Sequence, residues 1–390
     1  MKIVHIIPFH LEQMGGLQIF VHNIAKQQVK SGHEVFVLTH SYPGRASDYP
    51  YKIIKIKQPK GVSYLFYFYK LVAGIYLLLL QKKYKFDIWQ VNGGYPYGAM
   101  LVDFFQKNNI PSVLRCSGDD IQISYEYNYG VRRDPNINKL VEKNYYKFSK
   151  AVAITNTVAN EYKKINIPLH NIEVIPNGVD FDRISKNKPK FDIREKHDIS
   201  DNSKIILTVG RHHPKKNYSI IPEIIKYLIE NNCDVYWIVI GSNSGTTFGQ
   251  GVDRHVMDRI ILIDELKGGD VDDLSLEVPS NELIGYYKQS DIFAMTSALE
   301  TFGIVIIEAM SAGLPIVCFD APGVSYVMSE KCGYICELNN IDEFKVKTMK
   351  LIKGDNLYFS RKSTERAQNF KWDSVSKKYL TMYEKIVKKL

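Results

Sequence analysis

Cysteine is scarce in this chain: five among 390 residues, at positions 116, 233, 318, 332 and 336. So sparse a set excludes a disulfide-built scaffold. The pair Cys332/Cys336 has no second Cys/His pair at zinc spacing, so no metal site is expected. Cys318 lies in an apolar run and reads as core; all five thiols read as reduced and cytosolic. Two nucleotide signatures are also missing. There is no Gly-x4-Gly-Lys-Ser/Thr, which excludes a P-loop enzyme. After the first apolar run (3–7) the chain gives residues 8–14 before it reaches Gly15-Gly16, which argues against a nicotinamide-binding Gly-x-Gly-x-x-Gly turn. The start, Met1-Lys2-Ile3-Val4-His5-Ile6-Ile7-Pro8, has too short an apolar stretch for a secretory leader and reads as a buried strand. No short-period repeat and no low-complexity tract interrupts the chain.

Acidic residues are unevenly withheld. Residues 1–180 carry 22 Lys+Arg against 13 Asp+Glu, a surplus of nine, whereas residues 181–390 carry 29 of each and balance. Between Lys52 and Lys85 stand eight lysines and no acid. A one-sided basic field points to a polyanionic partner: an anionic membrane, a lipid diphosphate or nucleic acid. Within that stretch residues 64–81 form the one long apolar run, 18 residues with a single lysine, at the short end for a membrane span. A span is not expected, because strands of one sheet are predicted on both sides of it. Two readings stay open: a helix buried against the sheet, or a helix whose aromatic residues enter a headgroup region while lysines meet anionic lipid.

What is present is alternation. Strand candidates at 3–7, 34–39, 52–56, 88–91, 112–115, 151–154 and 172–175 are separated by helical patterns, as in a parallel sheet covered on both faces. The pattern breaks at Pro176-Asn177-Gly178-Val179-Asp180, and the polar stretch 183–204 reads as a linker. It then restarts: strands at 205–209, 235–240, 292–295 and 315–319, helices at 217–231, 281–288 and 301–312. Residues 242–273, rich in Gly and Asp, read as a long surface loop or subdomain. The expected layout is therefore an α/β chain with a first doubly wound domain over 1–178, a second over 179–372, and a helix over 373–390 crossing back to the first. In such sheets ligands sit beyond the carboxyl ends of the strands.

The chemistry concentrates in the second half. Strand 205–209 runs into Gly210-Arg211-His212-His213-Pro214-Lys215-Lys216-Asn217, which puts cations where a diphosphate would lie, though a solvated basic turn reads equally well. His212 and His213 read as loop residues rather than ligands. More informative is Ser297-Ala298-Leu299-Glu300-Thr301-Phe302-Gly303-Ile304-Val305-Ile306-Ile307-Glu308-Ala309-Met310. Thr301 is the expected N-cap. Gly303 lets a phosphate approach the first-turn amides. Glu308 falls on an otherwise apolar helix, where a carboxylate must be partnered or face a cleft. A vicinal ribose diol and a structural arginine both fit it.

The ordered set resembles the retaining glycosyltransferases of family 4. It comprises Glu300 and Glu308 with Phe302-Gly303, Ala309-Met310 and Ala312-Gly313-Leu314-Pro315-Ile316-Val317; Gly210-Arg211 with Lys216; Ile175-Pro176-Asn177-Gly178-Val179-Asp180; Ser290-Asp291-Ile292-Phe293; and Gly15-Gly16 before a helix. The resemblance covers nearly the whole chain. It implies a GT-B fold of two Rossmann-like domains facing across a cleft, and a metal-independent reaction with retention at the anomeric carbon. By position, Arg211 and Lys216 would bind the diphosphate and stabilise the leaving group, and Glu300 would contact the transferred sugar. Glu308 would hold the ribose, with Gly210, Gly303, Ile304, Gly15 and Gly16 close to the donor. Where the family often has His-Gly-x-Asp, this chain has Ser117-Gly118-Asp119-Asp120, so no catalytic histidine carries over; Ser117, Asp119 and Asp120 remain acceptor-side candidates. The family's usual Gly before Val278-Pro279-Ser280 is Leu276, which leaves the base undefined.

The expected activity is transfer of a hexose-type sugar from a UDP- or GDP-sugar to a lipid-linked or surface-polysaccharide precursor. No cofactor is expected. The expected setting is cytoplasmic, on the inner membrane face, with residues 52–85 meeting anionic lipid. The enzymatic rival is a nucleotide-sugar epimerase of related fold. The non-enzymatic rival is a nucleic-acid-binding protein, disfavoured because no recognised binding motif accompanies the basic half.

Overall fold

A computed structural model describes residues 1–8, 15–42, 44–56, 66–242, 252–264, 266 and 277–388, with the backbone alone over 66–72. Leu276 and most of the stretch 242–273 lie outside the described residues. The chain divides into two units, Met1–Gly178 with Trp372–Leu390, and Val179–Lys371.

The first unit is a seven-stranded parallel sheet in the order β3-β2-β1-β4-β5-β6-β7. Its strands are β1 (Lys2–Ile6), β2 (Glu34–Thr39), β3 (Lys52–Lys55), β4 (Ile88–Asn92), β5 (Ser112–Arg115), β6 (Lys150–Ala153) and β7 (Ile172–Val174). Ile3, Val4, Ile6 and Val35–Leu38 are buried, as strands covered on both faces require. Helix α1 (Gly16–Lys30) follows β1 and stops where Gly32 takes a positive φ of 82°. Helix α2 (Phe66–Tyr84) fills the apolar run before β4. It does not bury its whole circumference: Leu77 and Leu80 face the unit's interior, but Ile75, Tyr76 and Leu79 are 55%, 39% and 60% exposed. No helix among the described residues is long and apolar enough to cross a membrane.

The C-terminal helix, Trp372–Val387, belongs to this first unit. Trp372 and Tyr379 pack on Phe20 of α1, and the Tyr383 hydroxyl donates to Gln90 of β4. Gly178 lies flat against the Trp372 indole, where a Cβ would come within 2.3 Å of the ring.

The second unit repeats the same order with six strands, β10-β9-β8-β11-β12-β13. They are β8 (Lys204–Val209), β9 (Val235–Ile240), β10 (Ile260–Ile263), β11 (Ile292–Met295), β12 (Ile316–Phe319) and β13 (Gly333–Cys336). Ile206, Trp237, Ile292, Val317 and the helix Ile221–Glu230 share one core cluster. Three expectations are corrected here. The stretch 183–204 is not a linker: it carries the helices Phe181–Lys186 and Ile193–His197, which bury Phe181, Ile184 and Ile193 within this unit. The described part of 242–273 holds a short helix and the edge strand β10. The helix expected from 217 begins at Ile221, because Asn217 takes a left-handed φ of 53° and a separate turn, Tyr218–Ile220, intervenes.

Candidate active site

β8 delivers Gly210 to the carboxyl edge of the second sheet, and the chain turns through Pro214–Lys216. This turn is sewn to the segment after β11. Thr296 Oγ1 donates to the Lys216 carbonyl at 2.7 Å, and the Ala298 N–H donates to the Lys215 carbonyl at 2.9 Å. The stitching aims Lys216 at Glu300: Nζ stands 2.6 Å from Oε2, with the two side chains 15% and 12% exposed. Glu300 Oε1 accepts from the Thr301 N–H at 3.1 Å. Burial pushes the Glu300 carboxyl up, but Lys216, Lys215 and that amide together outweigh it and hold the group down at about 2. Arg211, directly after Gly210, is exposed.

Thr301 is not the N-cap. Gly303 holds that place with φ +82°, and the helix is Ile304–Ser311. A residue with a side chain is strained there, which is why the turn uses glycine. Gly210 and Gly303 border the ion pair: a Cβ at 210 would sit 3.6 Å from Lys216 Nζ, and one at 303 would sit 3.6 Å from Glu300 Cγ. Gly210, Lys216, Glu300, Gly303 and the amide end of the helix at Ile304 thus converge.

Two further glycines, not marked by the sequence motifs, press on this cluster from behind. A Cβ at Gly323 would stand 2.4 Å from the Thr301 carbonyl oxygen, and one at Gly241 would stand 2.1 Å from that of Gly210. Backbone contact this close admits no side chain, so both positions fix where the loops of Glu300 and Arg211 run.

Glu308 lies apart from the ion pair. It is 4% exposed, in the middle of its helix, and its Oε2 accepts from the Tyr287 hydroxyl at 2.9 Å. Burial pushes its carboxyl up to about 7, against the opposing pull of that hydroxyl and of Arg183. Tyr287 belongs to the helix Asn281–Gln289, capped by Ser280. Tyr218, whose hydroxyl donates to the Gly210 carbonyl, lies within electrostatic reach of Glu300 on one side and of Tyr287 on the other. Tyr287 escaped sequence reading because a core tyrosine and a positioning tyrosine look alike there.

In the first unit Gly15 caps α1 in extended conformation, with no side-chain cap bond, and leaves the helix's opening amides to other partners. Asp120 is buried, and its carboxylate accepts from the N–H groups of Gly94, Ser117 and Gly118 at 2.7, 2.9 and 2.9 Å. It therefore organises the turn that carries Ser117, whose hydroxyl accepts from Arg115 at 3.2 Å, while Asp119 is exposed. Arg115 itself is buried, stacked on the Phe20 ring at 3.5 Å and bonded to Asn177. Among the described residues no group of three or more His, Cys, Asp or Glu is arranged to hold a metal ion.

Comparison with known sequences decides the family. The model for "Glycosyltransferase Family 4" matches residues 14–183, and that for "Glycosyl transferases group 1" matches residues 189–370. The chain belongs to glycosyltransferase family 4. It is a glycosyltransferase of the GT-B type, and its two doubly wound parallel sheets are that fold. Among the family's relatives, the N-acetyl-alpha-D-glucosaminyl L-malate synthase of Bacillus anthracis is 22% identical over 96% of this chain and 93% of its own. The UDP-Gal:alpha-D-GlcNAc-diphosphoundecaprenol alpha-1,3-galactosyltransferase of Escherichia coli is 30% identical over 47% of this chain and 45% of its own. The structure of Anabaena Alr3699/HepE in complex with UDP and glucose superimposes with a TM-score of 0.72 at 17% identity, covering 99% of this chain and 100% of that one.

Proposed function

We propose that this family 4 enzyme transfers a hexose-type sugar from a UDP- or GDP-sugar to a hydroxyl of a lipid-linked or polysaccharide precursor, with retention and without a metal ion. The observation that carries the reading is the Lys216–Glu300 pair at the end of β8, beside the Gly303 helix end and a separately buried Glu308. An ammonium has three donors, so Lys216 can keep Glu300 and still meet a diphosphate oxygen. With Arg211 it neutralises the charge that grows on the leaving group, the part a metal takes elsewhere. Glu300, held ionised, accepts from hydroxyls of the transferred sugar. The Ile304 amide and Gly303 lie along the sugar or phosphate, and Glu308 receives the ribose.

In the reaction the bond from the anomeric carbon to the diphosphate oxygen breaks, and the acceptor oxygen bonds to the same face. The departing phosphate oxygen takes the acceptor's proton, so no histidine is needed at Ser117. Asp119, exposed in that loop, orients the acceptor, while Asp120 with its three amides shapes the turn. The relative that acts on a diphosphoundecaprenol-linked sugar and the basic stretch 52–85 both support a lipid-linked acceptor at an anionic surface.

The test is incubation with a panel of UDP- and GDP-sugars, with and without a polyprenyl-diphosphate sugar, in EDTA. A product that forms only with acceptor and keeps the donor's anomeric configuration is expected. An inverted product, sugar interconversion without acceptor, or activity lost to EDTA and restored by Mg²⁺ or Mn²⁺ would overturn the reading.

A further inference from the structure

We infer that Tyr287 is a positioning residue for nucleotide recognition: its hydroxyl holds Oε2 of Glu308 so that Oε1 is presented to the ribose diol. The inference rests on the reading of Glu308 as the ribose-binding group.

The geometry carries it. Glu308 is a buried carboxylate on an apolar helix, and its hydrogen bond is to a neutral hydroxyl rather than to a cation. A buried carboxylate that only stabilised the fold would be expected to pair with a cation, since an uncompensated charge is costly. Arg183, from the helix Phe181–Lys186, acts on Glu308 only across a distance. Its guanidinium is committed to Asp180 and Glu277 at 3.3 and 2.9 Å and to the Asn281 side chain and the Pro279 carbonyl. Those last two bonds tether the loop that starts the Tyr287 helix. The Tyr287 ring is itself fixed, fully buried and packed against Phe293 of β11 at 6.0 Å between centroids. A phenol has one proton to donate, and here it goes to Oε2. The carboxylate's rotation is thereby set by the core, and its second oxygen is left for a ligand.

The hydroxyl also biases the proton. A hydrogen bond donated to a carboxylate favours the ionised form, and only that form accepts from both ribose hydroxyls. The groups that act on Glu308 are Tyr287 from the helix Asn281–Gln289 and Arg183 from Phe181–Lys186, with Tyr218 acting on Tyr287 in turn. Removing the Tyr287 hydroxyl raises the Glu308 midpoint further, since Arg183 and the Tyr218 hydroxyl are engaged elsewhere.

The experiment is calorimetry on the full chain with UDP and 2′-deoxy-UDP, and with GDP and 2′-deoxy-GDP, from pH 6 to 9. The ratio of deoxy to ribo Kd cancels the titration of the phosphates. For the wild type the ratio should be about tenfold or more at high pH, the scale of losing a bond to a charged group, and should fall as pH drops through the Glu308 midpoint. Tyr287→Phe keeps the ring. It should lower the ratio several-fold at pH 7 and shift the profile to higher pH, while Glu308→Gln should flatten it. Replacing Tyr287 by 3-fluorotyrosine, a stronger donor of the same shape, should shift the profile to lower pH and serves if the Phe variant does not fold. A wild type that binds ribo and deoxy forms alike at every pH would remove the ribose reading itself. A discriminating wild type whose profile is overlaid by those of both Tyr287 variants would overturn the inference and leave Tyr287 as packing alone.

Discussion

In both units the strand order reverses beside the first strand, between β1 and β4 and between β8 and β11, so each sheet offers a ligand crevice at the same topological place. The residues standing there behave differently. In the first unit the charged and imidazole groups near the strand ends bond to the protein itself, although the Arg115 Nε is left without a partner. Asp120 takes three amides, Arg115 is held by Asn177 and the Phe20 face, and His40 lies between the Tyr97 hydroxyl and the Ile56 carbonyl. In the second unit charge is concentrated and left within reach: an ion pair at the rim and a carboxylate with one neutral partner. The surface charge runs the other way, since the whole basic surplus lies in residues 1–180. Equal topology therefore does not mean equal chemistry. One unit carries its charge outward, and the other keeps it at the strand ends.

The sharpest way to break this comparison is to remove the cation at the second unit's strand ends. Lys216→Ala takes away a stabiliser of leaving-group charge and leaves Glu300 without its partner. Turnover should fall by about 10²–10³-fold, the scale of losing one preorganised electrostatic donor. Steady-state kinetics on a transferring donor–acceptor pair would check it, and near-native turnover would remove Lys216 from the chemistry.

The next effect belongs to the first unit. On α2, Ile75, Tyr76 and Leu79 are exposed, followed by exposed Lys82, Lys83 and Lys85, whereas Lys52 is paired with Glu34. Among the described residues the end of α2 is where exposed apolar side chains and exposed lysines stand together, so the docking surface proposed over 52–85 is tested there. At about 1 kcal/mol per lysine near an anionic surface, changing all three to Ala should weaken binding to phosphatidylserine-rich vesicles by roughly 10²-fold. Flotation reads this directly. Binding that ignores lipid charge, or is missing in the wild type, would leave α2 as a packed helix with an exposed edge.

Much of this was readable beforehand, for a physical reason. Strands buried on both faces are continuous apolar runs, and the donor-side residues fall within a few short segments that carry their own turn chemistry. What failed to show depended on partners distant in sequence. Thr301 has the right chemistry for a cap, but Gly303 can adopt a left-handed φ and so displaces the helix start. The polar stretch after Asp180 looks like a linker because its buried apolar anchors, Phe181, Ile184, Ile193 and Ile199, are few and spaced apart. β10 is four residues inside a Gly- and Asp-rich region. Tyr287 stands 21 residues from the carboxylate it bonds, and Gly323 meets Thr301 through backbone.

The smallest effect separates the two glutamates by the sign of their contribution to stability. Glu308 has its folded midpoint raised, from 4.5 to about 7. Its favourable contribution is complete below the unfolded midpoint and is lost as pH rises through the folded one, because the buried group must ionise. Glu300 is depressed, from 4.5 to about 2, so its contribution is present above the unfolded midpoint and is lost as pH falls through the folded one. Glu308→Gln keeps the shape and an acceptor for Tyr287 but cannot ionise. It should therefore leave stability near wild type at pH 5 and raise it at pH 8 by about 1–2 kcal/mol, a few degrees in Tm. Glu300→Gln should lower Tm at pH 8, because Lys216 loses its counter-charge. Gains of this kind where function needs a buried charge are the usual form of a stability–activity trade-off. Thermal midpoints of both variants at the two pH values decide the matter. A Glu308→Gln difference that is the same at pH 5 and pH 8 would mean that the folded Glu308 is already ionised at pH 5, with its midpoint not raised, and the contrast between the two glutamates would be lost.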